Sequence, residues 1–372
     1  MTRSMRPLFK KKQLSIKIGG PKRPNWFRRH KKLAIILGVA LVLLIAGGTA
    51  TALSLVNQKP AEKPVPVKTA AVAKPTPKFY SILTGNLVKD QAATTQPVTA
   101  VMIENSPDAR PQSGLKDSGV VFEAIAEGGI TRFLAIYQQE KPALIGPVRS
   151  VRMYFVDWVA AFNASVAHIG GSQAALKEVR GGNYRDIDQF FNGPYYYRAS
   201  DRYAPHNVYT TSEKLDALNA AKGYTASTFT GFTRKDSKAS TTPNATSITV
   251  DISSAPYDST YTYNVTTNSY DRFVGGAPHI DRESGQISPR VVVVMTIAER
   301  TVLEDGYREQ IDTIGSGKAV IFQDGTAQEV TWIKKSKADQ IVFVDAAGAD
   351  VPLARGQTWL TSVPLDGGAT WQ

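Results

Sequence analysis

The sequence predicts an α+β (or α/β) N-terminal domain and a β-rich C-terminal domain, both behind one N-terminal transmembrane helix. Three observations carry this. An uncharged apolar run fills 33–56, strand and helix patterns alternate through 79–232, and only strand patterns follow from 245 onward. At 372 residues the chain has room for two folded units and a tail. An apolar fraction of 42% with 20% charged residues excludes disorder throughout. There is no cysteine, which removes disulfides, thiol catalysis, cysteine-ligated zinc and a lipid-modified cysteine.

The net charge of +12 is local. Residues 1–32 hold twelve of the 44 basic side chains and none of the 32 acidic ones, so the rest is balanced at 32 of each sign. An electrostatic case for nucleic acid therefore fails for the folded part. The run Leu33–Val56 is 24 residues without a charge. At 1.5 Å per residue it spans about 36 Å, enough to cross a hydrocarbon layer of about 30 Å. The basic tail before it holds the N-terminus in the cytoplasm and places residues 57–372 outside, in a single-pass cell-membrane topology. The competing reading is a signal peptide cleaved after Ala52, in the Ala50-Thr51-Ala52 pattern; it exports the same residues. Residues 57–78 contain five prolines and few large apolar side chains, a composition for an extended spacer.

The first domain, 79–232, opens with apolar runs at Val98–Glu104, Val120–Glu127 and Thr131–Gln138 that read as strands. Val151, Tyr154, Phe155, Trp158, Val159 and Phe162 make one helical stripe. Ser172 is placed to cap a helix ending at Gly181-Gly182, and Thr210 with Glu213 forms a capping box for a helix stopping at Gly223.

Charged residues sit beside tight turns at strand ends, where α/β sites are built. Glu104, Asn105 and Arg110 follow the first strand directly. Glu123 and Glu127 alternate in phase with Val121 and Ile125, while Arg132 lies in the next strand. Arg149 and Arg152 flank a helix start, with Asp157 within the helix. Arg198 and Arg202 precede His206 and Asn207, and His168 sits inside a strand, Ser165–Gly170, that ends in Gly170-Gly171-Ser172. Guanidinium forks match phosphate or carboxylate, so the set points to an anionic ligand. Taken singly, each arginine is explained by internal pairing with Glu104, Glu123, Glu127 or Asp157.

Gly170-Gly171-Ser172-Gln173-Ala174 approaches a nucleophile elbow but lacks its last glycine, so Ser172 reads as a helix cap. His168, His206, His279 and Asp281 have no metal-ligand spacing, and no metal site is predicted. Tyr195, Tyr196, Tyr197, Tyr203 and Tyr209 would stack on sugars or pack internally.

A polar hinge at 233–244 separates the second domain, 245–372. Its runs SITVDI, STYTYN, VVVVMTIAE, KAVIFQDG, EVTWIKK and IVFVD read as an antiparallel sheet with one wet face. It is expected to pack on the first domain across a ligand cleft. Gly275–Asp281 is its one loop rich in functional residue types.

The runs VTAVMIENSPDARPQSGL, VVFEAIAEGGITRF, IGPVRSVRMYFVDW, HIGGS and APHNVYT resemble the YerB-like family, bacterial proteins named as lipoproteins with paired domains of unknown function. With the second domain the resemblance covers about 80–365. It implies an outward-facing cell-envelope protein and brings no established reaction. The absence of cysteine departs from the family's lipoprotein habit.

Two functions follow. The first is an envelope module that binds peptidoglycan, an envelope glycan, a lipid-linked wall precursor or a wall-synthesis protein; it requires no cofactor. The second is an enzyme. The strand TRFLAIYQQ leading to Gly-Pro-Val-Arg-Ser-Val-Arg is weakly similar to the LytR-CpsA-Psr phosphotransferases, which act on polyprenyl-pyrophosphate-linked glycans. There Arg149 and Arg152 would clamp phosphate, and Glu123, Glu127 or Asp157 would hold Mg²⁺ or a proton.

Overall fold

The computed structural model describes residues 77–301 and 308–372. The basic tail, the run 33–56 and the linker as far as residue 76 lie outside the described residues. Among the described residues no helix is long and apolar enough to cross a membrane.

The long apolar runs become interior strands. Thr99–Glu104 (β1), Val120–Glu127 (β2) and Ile130–Tyr137 (β3) lie side by side, with β3 antiparallel to both neighbours. Ser165–Ala167 (β4) adds to β1 in parallel, and Arg185–Asp186 (β5) adds to β4. Ser247–Asp251 (β6), Ser259–Asn264 (β7), Ser269–Val274 (β8) and Ala277–Pro278 (β9) form a separate antiparallel sheet. Burial alternates along β6 and through most of β7, as one wet face requires.

Val291–Thr296 (β10), Gly315–Gln323 (β11), Thr326–Lys334 (β12), Val342–Val344 (β13) and Thr358–Val363 (β14) return to the first sheet. Its order is β13-β12-β11-β10-β14-β2-β3-β1-β4-β5, ten strands in all. β14 pairs in parallel with both β10 and β2. The two halves are therefore joined by sheet hydrogen bonds rather than packed as separate modules. The reason is visible in VVFEAIAE and VVVVMT, which do not alternate and so need cover on both faces. Gly368–Trp371 (β15) closes the five-stranded sheet against β6.

Alternate residues of β1–β3 divide between two cores. Met102, Phe122 and Leu134 pack with Trp158, and Ile103, Val121 and Phe133 pack with Trp359. A third core, with Tyr261, Tyr270, Val292 and Phe322, lies between the two sheets.

The protein is mostly β, and the strand–helix alternation expected for 79–232 is weaker than the sequence suggests. Among the described residues the α-helices are Met153–Val159 (α1), Gln173–Val179 (α2) and Ser212–Ala221 (α3). α1 starts two residues after Val151, which bridges Gly171 instead. Trp158 of α1 stacks on Phe122 at 5.1 Å. α3 is capped by Thr211, whose hydroxyl accepts from Lys214 N at 3.1 Å. Thr210 is unavailable as the cap because its hydroxyl donates to the Tyr195 carbonyl at 2.8 Å. Ser172 stands at the N-cap of α2, but its side chain makes no capping bond. The polar hinge is tied down at Arg234–Lys235, which pairs in parallel with Leu353–Ala354.

Candidate functional site

Strands β1, β2, β4 and β5 run parallel, so their C-terminal ends lie along one edge of the sheet. Glu104, Glu127, His168 and Asp186 are at or just past these ends. The segment 148–152 crosses the same edge. Arg149 N donates to Met102 O at 2.8 Å, Ile169 N to Arg149 O at 3.1 Å, and Val151 N to Gly170 O at 3.0 Å. Ends of parallel strands are where open α/β sheets place ligands.

Three carboxylates organise the charges. Glu104, buried, faces His206 Nδ1 at 2.9 Å and Arg149 Nε at 3.3 Å, and accepts from Ser106 Oγ at 3.1 Å. Arg149 has 24% of its side chain exposed, and its terminal nitrogens bond no protein group among the described residues. Glu127 bonds Arg132 at 2.9 Å and also pairs with Arg152. Burial pushes the Glu127 carboxyl up, but the two guanidinium groups outweigh it and hold it at about 2. Arg132 also donates to Ser150 O at 3.0 Å, joining this cluster to the Arg149 segment.

The spacing of Glu123 and Glu127 predicts a shared face, but they do not share one, because a bulge between Ile125 and Glu127 shifts the register. One Glu123 oxygen accepts from Arg272 at 2.7 Å and Trp359 Nε1 at 2.9 Å, the other from Thr131 Oγ1 at 3.3 Å. Arg272 also contacts His279 Nδ1, and His279 Nε2 faces Gln112 Oε1 at 3.0 Å. Burial, with the charges of Arg272 and Arg110, holds His279 well below the usual histidine range, so it is neutral. The network continues through Asn105, which donates to Thr131 Oγ1 at 2.6 Å and accepts from Arg110 Nε at 3.1 Å. It is a structural bond between the two halves of the chain. The Gly275–Asp281 loop joins it through His279, while Asp281 accepts backbone N–H groups from Lys116, Glu283 and Ser284.

The other predicted residues fall in three places. Asp157 accepts from Thr313 Oγ1 at 2.8 Å and pairs with Lys337 at 3.3 Å. It shares the wall of a cavity of about 540 Å³ with Arg152 and Ser172. Arg198 donates to Asn207 Oδ1 at 2.7 Å, and Arg202 to Pro111 O at 2.6 Å, so both brace the loop carrying His206. His168 is fully buried beside Asp186 and Asp188.

Sequence reasoning missed Arg272 and Trp359 as partners of Glu123, and Asp186 and Asp188 as partners of His168. The Asp-x-Asp pair at 186 and 188 was the available signal for the second. It also missed the rings on the loop after β5, where Phe190 is 65% exposed and Phe191 71%; Tyr203, named above, is 92% exposed. Of the tyrosines named above, Tyr196 and Tyr209 are packed.

Glu299 was not foreseen either. Burial, with Glu309 and Asp366 nearby, pushes its carboxyl up to about 7 from the usual 4.5. A raised carboxyl favours folding below the unfolded value and loses that contribution as pH rises through the folded one. Glu299→Gln is expected to leave the urea midpoint unchanged at pH 4 and raise it at pH 8.

A mostly β protein, with its two halves in one sheet and paired charges along the parallel strand ends, is the class these observations define. Residues 83–225 match the family described as "Protein of unknown function (DUF3048) N-terminal domain", and residues 248–360 match its C-terminal counterpart. The Bacillus subtilis (strain 168) protein named "Putative lipoprotein YerB" is 33% identical over 299 residues, covering 79% of this chain and 89% of that protein. The crystal structure of the Bacillus subtilis YerB protein matches with a TM-score of 0.70 at 32% identity, over 79% of this chain and all of the solved one. The chain belongs to the YerB-like family.

Proposed function

We propose that this chain is a binding module of the cell envelope, tethered through the apolar run at 33–56 with residues 57–372 outside the cytoplasm. Its ligand is an anionic envelope glycan, peptidoglycan or lipid-linked wall precursor, or a wall-synthesis protein. The observation that carries the reading is Arg149, whose guanidinium faces Glu104 through Nε and keeps its terminal nitrogens for an anion. The exposed rings of Phe190, Phe191 and Tyr203 suit stacking on sugar faces. A relative named as a lipoprotein supports a membrane-tethered role. With no cysteine to carry a lipid, the apolar run is the tether in this chain.

The alternative, transfer of polyprenyl-pyrophosphate-linked glycans, needs Arg149 and Arg152 together on phosphate. Arg152 is committed to Glu127, which favours binding over transfer.

The test uses the full chain in detergent micelles with fluorescent polyprenyl-pyrophosphate glycan and with peptidoglycan fragments, each with and without Mg²⁺. Arg149→Ala is expected to weaken binding about tenfold, the loss of one charged hydrogen-bonding group, with an unchanged circular dichroism spectrum. Turnover that disappears in Arg149→Ala would establish the transferase instead. Equal binding by both proteins would remove Arg149 from the site.

A further inference from the structure

The buried histidine at the end of β4 has an electrostatic problem that a proton or a cation solves. His168 Nδ1 lies 2.8 Å from the Gly170 carbonyl, and Nε2 lies 3.0 Å from Asp186 Oδ1. Both neighbours are acceptors, and a neutral imidazole has one N–H. Whichever tautomer forms, one lone pair is aimed at an oxygen in a fully buried position. Asp188, also fully buried, adds a second carboxylate 4.0 Å from Nδ1.

We propose that His168, Asp186 and Asp188 form a binding site for one divalent transition-metal ion of the Zn²⁺ or Mn²⁺ type. Donor atoms from the three residues lie within 4.8 Å of one another. Two ligands about 2.1 Å from one ion stand about 3.0 Å apart at adjacent octahedral positions and about 3.4 Å apart in a tetrahedron. The Nε2–Asp186 spacing is that of an adjacent pair. The Nδ1–H bond to the Gly170 carbonyl is the outer contact that metal-bound histidines make; it leaves Nε2 and Asp186 as the adjacent pair, and Asp188, which approaches from the Nδ1 side at 4.0 Å, would complete the set by turning its carboxylate toward Nε2. The carboxylates are held in the same way. Asp186 Oδ1 accepts from Asp188 N at 3.1 Å, Asp188 Oδ1 accepts from Phe190 N at 3.1 Å, and Arg180 pairs with Asp188. One imidazole with two carboxylates is a donor set for borderline ions rather than for Ca²⁺. Because Phe190 follows Asp188 by two residues, a bound ion would fix the root of the exposed aromatic loop. This inference stands apart from the choice of ligand at Arg149.

The test is metal binding by the full chain in detergent after EDTA and dialysis. Titration with ZnCl₂ or MnCl₂, followed by calorimetry and elemental analysis, is expected to give one ion per chain and a higher melting temperature. Asp186→Asn, at a partly exposed position, is expected to weaken binding at least about tenfold while the metal-free melting temperature stays the same. Should that variant misfold, pulsed EPR of the wild-type Mn²⁺ complex decides, with a histidine nitrogen coupling expected. Absence of stoichiometric binding, unchanged affinity in a folded Asp186→Asn, or a Mn²⁺ signal without nitrogen coupling would overturn the proposal. His168 and Asp186 would then share only a proton.

Discussion

Glu123→Ala is expected to destabilise the protein by about 3–5 kcal/mol, because it leaves a charge buried without its partner. Arg272 is fully buried, and Glu123 is its acidic partner. The guanidinium also lies 4.5 Å over the Trp359 ring, a contact that eases its burial but does not replace a counter-charge. The variant would also leave the Trp359 N–H without its acceptor. Urea unfolding of wild type and variant at neutral pH measures the loss. A double variant, Glu123→Leu with Arg272→Met, is expected to recover most of it, since apolar side chains of similar size often replace buried ion pairs without penalty. A double variant as unstable as the single one would show that packing, not the charge pair, governs the site.

The second large effect is at Glu127. Its carboxyl is held at about 2 against a usual 4.5. A depressed carboxyl contributes stability above its unfolded value and loses it as pH falls through its folded value. Wild-type stability is therefore expected to fall between about pH 4.5 and pH 2. Allowing for partial exposure of Glu127, its own share is about 2 kcal/mol. Glu127→Gln is expected to lose about 3 kcal/mol at pH 7, because Arg132 is almost wholly buried and loses its carboxylate. The variant's stability should then change less over the acid window. Matching wild-type and variant slopes in pH-dependent unfolding would assign the acid loss to other carboxylates.

The strands were legible because their apolar runs are long and uninterrupted: Val98–Glu104 and Val120–Glu127 each contain an observed strand. So was the concentration of charge at their ends. What the sequence left hidden was partnership. Glu123 and Trp359 are 236 residues apart and meet because β14 lies beside β2. Strand order is a non-local choice that no local pattern encodes. The capping box at Thr210 was off by one residue for the same reason, since a distant carbonyl claimed that hydroxyl. The arginines looked like a set of anion hooks. In the fold, Arg132 and Arg152 are tied to Glu127, while Arg149 pairs through Nε with Glu104 and its terminal nitrogens bond no protein group among the described residues.

The placement of β14 has a consequence for how this protein is made. Synthesis runs from the N-terminus, so β2 exists as an unprotected sheet margin until Thr358–Val363 has been produced. During that interval Glu123 lacks Trp359 and β2 lacks its neighbouring strand. Folding is thereby postponed to near chain completion, and a ribosome stalled before codon 358 releases a sticky, unfinished product rather than a smaller working one.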